Sequence, residues 1–125
     1  MTVALHNQPG SILVVEDDVR ALDALTDLLE ASGYNVKRAQ NGQDALLQAK
    51  EQPPGMILLD LSMPVMDGWE FMRQQRLEPA IADIPVVVIT ALVSAVPAGA
   101  KALVTKPINV KRLMSLVEKF CTSQG

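Results

Sequence analysis

Five polar residues stand where apolar runs of this sequence stop. Glu16 and Asp17 follow Ile12-Leu13-Val14-Val15, and Asp60 closes Met56-Ile57-Leu58-Leu59. Thr90 closes Val86-Val87-Val88-Ile89, and Lys106 comes after Ala102-Leu103-Val104-Thr105. Short apolar runs bounded by turn residues read as strands buried on both faces. Open α/β sheets of such strands place their chemistry at the carboxyl edge. On that edge Glu16, Asp17 and Asp60 would gather three negative charges against Lys106 as the positive partner. Like charges a few ångströms apart disfavour joint ionisation, so the cluster is costly unless a cation fills it. Hard oxygen ligands in small number suit Mg²⁺, which keeps several waters and shares a phosphate. Asp60, closing an apolar run beside such a cation, is a candidate nucleophile. A lone acid after a strand is more often a turn residue or helix cap, and Asp18 fits the cap of the first helix. It is the joint occurrence of four polar strand ends that favours chemistry.

The elements that must position these groups alternate along the chain. After the strand Ser11–Val15, Leu22, Leu25, Leu28 and Leu29 recur at helical spacing over 19–32, and Gly33 is the expected C-cap. A weaker strand, Asn35–Ala39, precedes Asn41-Gly42 and a helix carrying Ala45, Leu46 and Ala49 on one face. Pro53-Pro54-Gly55 leads into the central strand. Beyond Gly68, Phe71, Met72 and Leu77 predict a third helix running out near Pro79, with Trp69, Met63 and Met66 as loop and helix packing. Asn109 caps a last helix whose apolar face is Val110, Leu113, Leu116, Val117 and Phe120. The alternation is (βα)₅, an α/β fold with a doubly wound parallel sheet.

Bulk properties agree. The chain has 125 residues, 49% hydrophobic and 20% charged, which suits one domain with a proper core. A net charge of −3 offers no basic surface for nucleic acid. One cysteine, Cys121, excludes an internal disulfide and suits a reducing compartment. No apolar run approaches the roughly 18 residues of a membrane span, and residues 1–10 lack the pattern of a signal peptide. The expectation is a cytoplasmic protein with no membrane insertion, a flexible leader over 1–10 that includes His6, and one domain over 11–125.

The quoted motifs carry a resemblance. Ile12-Leu13-Val14-Val15-Glu16-Asp17-Asp18, Asp60-x-x-Met63-Pro64-x-Met66-Asp67-Gly68, Val88-Ile89-Thr90-Ala91 and Lys106-Pro107 resemble the response-regulator receiver domain of two-component signalling, in the right order on the right elements. The resemblance spans residues 11 to about 121. It implies a flavodoxin-like sheet of strand order 2-1-3-4-5 and Mg²⁺-dependent phosphoryl transfer onto Asp60 from a phosphohistidine. It implies a histidine kinase or histidine phosphotransfer protein as donor, a downstream protein target, and a weak homodimer as a further association. The implied metal ligands are Glu16, Asp17, Asp60 and the backbone carbonyl of Ser62. The chemistry fits these roles. The metal offsets the charge of the phosphoryl group as the Asp60 carboxylate attacks in line. Lys106 sets a compact ammonium on one phosphoryl oxygen, while the Thr90 hydroxyl and Ala91 amide donate to others. A cis peptide is expected at Lys106–Pro107, as the family usually has.

Two departures bear on output. Leu103 stands where the family commonly has an aromatic that moves with the threonine. Fifteen residues separate Thr90 from Lys106, short by roughly 1.5–2 helical turns. Pro97 falls in the shortened stretch, so the helix between the fourth and fifth strands is expected to be a turn or irregular apolar loop. That loop would offer Leu92, Val93 and Val96 either to the core or to a partner, and Leu92 would shield an aspartyl phosphate from water. Two other functions compete. One is a pseudo-receiver acting as a phosphorylation-independent adaptor. The other is an aspartyl-nucleophile phosphatase, against which Ser62 stands where such enzymes carry a second acid.

Overall fold

The computed structural model describes residues 8–61, 63, 66–91 and 97–121. Five strands, β1 (Gln8–Val15), β2 (Asn35–Ala39), β3 (Pro54–Asp60), β4 (Val86–Thr90) and β5 (Ala102–Thr105), form one sheet of order β2-β1-β3-β4-β5. All four pairings are parallel. Four helices are present among the described residues: α1 (Val19–Ala31), α2 (Gly42–Glu51), α3 (Gly68–Arg76) and α4 (Val110–Cys121). The parallel sheet is the one expected from the alternation, and its order is the flavodoxin-like one that the family resemblance implies.

The period of two along each strand divides the core into two layers. Leu13 and Val15 of β1, Ile57 and Leu59 of β3, and Val86 and Val88 of β4 pack with Ala45 and Ala49 of α2 and Phe71 and Met72 of α3. Their neighbours Ile12, Val14, Met56, Leu58, Val87 and Ile89 pack with Leu22, Leu25 and Leu29 of α1 and Leu113 and Val117 of α4. Every residue of β3 is buried, because helices cover both faces of the sheet's centre. Cys121 closes the second layer as a buried free thiol, held by burial above its ordinary pKa.

Local signals set the element ends. The Asp18 carboxylate accepts from Arg20 N at 3.0 Å and Asn41 from Asp44 N at 2.8 Å. Asp67 accepts from Glu70 N at 2.9 Å and Asn109 from Arg112 N at 3.0 Å, so each helix starts on a side-chain cap. α1 ends with Gly33 at φ 96°, where Tyr34 N donates to Leu29 O and Gly33 N to Glu30 O, the paired bonds that close a helix on a left-handed residue.

Two boundaries and one side chain differ from expectation. β1 begins at Gln8 rather than Ser11, since Gln8 pairs with Pro54 across an irregularity at which Gly10 takes φ 81°. α3 stops at Arg76, and the chain turns through Glu78–Ile84 on bonds such as Ile81 N to Glu78 O. Trp69, expected to pack, is 45% exposed. The shortened helix expected before β5 falls mostly on residues 92–96, which lie outside the described residues, as do Leu92, Val93 and Val96. Around them, Ala91 is a bend, and Pro97 begins a turn in which Ala100 N donates to Pro97 O.

Candidate functional site

The register brings the polar strand ends together. Val15 lies beside Leu59, Asp60 beside Ile89, and Thr90 beside Thr105, so Glu16, Asp60, Thr90 and Lys106 share the carboxyl edge of four neighbouring strands. One carboxylate oxygen each from Glu16, Asp17 and Asp60 falls within 4.8 Å of the others. Glu16 is 2% and Asp60 5% exposed, whereas Asp17 faces solvent. Lys106 places Nζ 3.4 Å from Glu16 Oε1 and 3.8 Å from Asp60 Oδ2.

Backbone bonds fix these groups. Asp18 N donates to Glu16 Oε2 at 3.2 Å, and Glu16 N donates to Ala39 O at 3.0 Å. Lys106 N donates to Thr90 O at 2.9 Å, coupling the residues that end β4 and follow β5. Thr90 is buried and Ala91 exposed beside it. The Lys106–Pro107 peptide is cis.

Electrostatics define what the site lacks. Burial first, and then the charge of Asp60, raise the Glu16 carboxyl from 4.5 to about 7, although the Asp18 amide and the Lys106 ammonium pull it down. A buried carboxyl held near neutrality beside a second buried carboxyl marks a place short of positive charge. The donors are all carboxylate oxygens, with one side of the cluster open at Asp17. That set suits a hard, partly hydrated cation and offers no nitrogen or sulfur to a softer one. Glu16, Asp17 and Asp60 are therefore the residues fitted to hold Mg²⁺. Ser62, whose carbonyl is the fourth ligand expected, lies outside the described residues.

A profile of the response regulator receiver domain matches residues 12–118. The chain belongs to this family. Receivers are signalling domains of two-component systems rather than enzymes in the ordinary sense. The polar-differentiation response regulator DivK of Brucella anthropi is 32% identical over 118 residues, covering 90% of this chain and 96% of that one. Among solved structures, a putative response regulator from Chloroflexus aurantiacus aligns at a TM-score of 0.84 with 28% identity, covering 91% of this chain and 98% of the other. The signal receiver domain of a signal transduction histidine kinase from Syntrophus aciditrophicus aligns at 0.82 with 31% identity, covering 91% of each.

The receiver's edge includes features the sequence did not announce. Ala21, Ala24, Leu25 and Leu28 of α1 face Pro107, Ile108 and Val110 across an open groove of about 550 Å³, whose near end is Glu16, Asp18 and Lys106. Its signal was present as the 21, 24, 25, 28 spacing of a helical stripe, but Leu25 and Leu28 read equally well as core. Two glycines, Gly42 and Gly68, abut the loop leaving Asp60. Gly68 belongs to a quoted motif; nothing in the sequence pointed Gly42 at the site.

Proposed function

We propose that this receiver accepts a phosphoryl group on Asp60 from the phosphohistidine of a kinase or phosphotransfer protein, and that the phosphorylated form differs in partner binding. The observation that carries the reading is the gathering of three carboxylates within 4.8 Å, two of them buried, with Lys106 in reach of both buried ones. Bound among Glu16, Asp17 and Asp60, Mg²⁺ would supply the positive charge that the acids and an incoming phosphoryl group both require. Asp60 is the nucleophile: an Oδ of its carboxylate forms the bond to phosphorus as the phosphorus–nitrogen bond to the donor imidazole breaks, and the electron pair leaves with the imidazole. Lys106, already beside Asp60 Oδ2, follows the transferred oxygens as a point charge. The Thr90 hydroxyl is drawn toward the new anion, and the bond between Thr90 O and Lys106 N carries that movement to the turn entering α4. Leu103, half-buried against the first core layer, takes the place of the family's aromatic in that response.

The groove beside the site suits the donor. Its apolar walls begin at Glu16 and Lys106, so a helix laid along Ala21, Ala24 and Leu28 would present a phosphohistidine to Asp60 without crossing the protein. The test is incubation with acetyl phosphate and Mg²⁺, read by intact mass. The wild type gains one phosphoryl group and Asp60→Asn gains none. A wild type that stays unmodified and binds no Mg²⁺ would replace this reading with the phosphorylation-independent adaptor.

A further inference from the structure

The loop from Asp60 to α3 is clasped from outside by the first residue of α2. Gly42 N is one of the amides that a helix start leaves without an internal partner, and it donates to Met66 O at 3.0 Å. A Cβ on Gly42 would lie 2.5 Å from Met66 O, 2.8 Å from Met66 Cγ and 3.0 Å from Met66 Cβ. No ordinary side chain fits without moving backbone. Two residues after Met66, Gly68 N donates to Leu61 O at 3.0 Å, and Leu61 directly follows Asp60. The segment that ends in Gly42 begins at Ala39, whose carbonyl receives Glu16 N at 3.0 Å. One short stretch, Ala39 to Gly42, thus touches the backbone of one buried acid and the loop that extends from the other.

The geometry points to Gly42 as a positioning residue for the phosphoacceptor site: the amino end of α2 sets the spacing of the Asp60 loop against Glu16, and with it cation affinity and phosphoryl transfer. The inference rests on the phosphoacceptor reading above. It adds a requirement on a residue that touches neither cation nor phosphoryl group. A side chain at Gly42 pushes Met66 outward. Because the Gly68–Leu61 bond ties that loop to the residue after Asp60, the displacement reaches the carboxylate cluster. Groups that orient metal ligands from behind typically alter affinity by about 10–100-fold when removed.

The experiment measures Mg²⁺ affinity by calorimetry, the acetyl phosphate modification rate at saturating Mg²⁺, and Tm, for wild type, Gly42→Ala, Asn41→Ala and Ala49→Gly. Gly42→Ala is expected to weaken Mg²⁺ binding about tenfold and to slow modification even when Mg²⁺ is saturating. Asn41→Ala removes only the cap that steadies Gly42 and is expected to show the same two losses at about two- to threefold, which keeps the inference testable if Gly42→Ala does not fold. Ala49→Gly lowers Tm from the same helix without touching Met66, and is expected to keep wild-type Mg²⁺ affinity and rate. Wild-type affinity and rate in a folded Gly42→Ala or Asn41→Ala protein would overturn the inference, as would losses in Ala49→Gly that match them. If the wild type takes neither Mg²⁺ nor a phosphoryl group, the phosphoacceptor reading falls and this one with it. If only the variants behave as wild type, this one alone falls.

Discussion

Lys106 holds its ammonium 3.4 Å from Oε1 of Glu16, joining the residues that follow β5 and β1 across the width of the carboxyl edge. The lysine is a third exposed, whereas the glutamate is almost fully buried. That asymmetry sets the balance: a partly hydrated ammonium lowers the Glu16 pKa but does not offset burial and the neighbouring Asp60, and the carboxyl remains raised to about 7.

A pH dependence follows with a definite sign. Glu16 binds its proton more tightly folded, near 7, than unfolded, near its ordinary 4.5. Between those values the folded state carries the extra proton, so without divalent cation this group makes stability fall as pH rises from 4.5 to 7, with the loss complete above 7. The full effect is about 3 kcal/mol. Glu16→Gln removes it. Tm measured in chelator across this range is expected to fall more steeply for wild type than for Glu16→Gln, with the variant the more stable at pH 8. Parallel curves would contradict the assignment.

Gln75 gives a stability prediction away from the site. Its side chain is buried and Nε2 donates to both Ile81 O, at 2.9 Å, and Ile84 O, at 3.1 Å, so one amide holds the turn between α3 and β4. Gln75→Leu keeps the bulk and leaves two carbonyls without that donor, at a cost of about 2 kcal/mol. Urea denaturation should show a lower midpoint with an unchanged slope. An unshifted midpoint would mean that the turn is held by Ile81 and Ile84 packing alone.

Most of the sheet was legible because each buried strand is a short apolar run cut off by a turn signal. Even the capping roles of Asp18 and Asn109 could be read from residue type and position. The gathering of polar groups at the edge was legible because Glu16, Asp60 and Thr90 each follow such a run directly and Lys106 comes one residue after another. Contacts between elements were not legible. The approach of Gly42 to Met66 and the facing of α1 with Pro107–Val110 depend on packing angles that leave no local pattern. β1's extra turn-out at Gln8–Gly10 was hidden for a related reason: Pro9-Gly10 reads as a break, yet a left-handed glycine lets the strand pass through an irregularity and resume pairing.

Gly68 supplies a prediction at Asp60, the proposed acceptor. A Cβ there would stand 2.7 Å from Leu61 Cα and 2.9 Å from Asp60 O, both backbone atoms with nowhere to retreat inside a fully buried strand end. Gly68→Ala is expected to lower Tm and to slow acetyl phosphate modification of Asp60 in the protein that remains folded. Modification at the wild-type rate would show that the carboxylate tolerates the shift.

The groove between α1 and the Pro107–Val110 segment separates two kinds of phosphoryl donor. Acetyl phosphate is small and meets Asp60 from solvent. A histidine-bearing protein must lay a surface against the receiver, and Ala24, exposed on α1 in the wall of the groove, lies on the path proposed for it. Ala24→Glu places a charge and added bulk on the wall while leaving the buried face of α1, Leu22, Leu25 and Leu29, untouched. Its Tm and its rate with acetyl phosphate should match wild type, since surface changes of this kind usually stay within about 0.5 kcal/mol. Its rate with a phosphorylated histidine kinase or phosphotransfer protein that serves the wild type should fall about tenfold, equivalent to roughly 1.4 kcal/mol of lost docking energy. Equal losses with both donors would place the damage in the acidic site, and no loss with either would move protein docking off this groove.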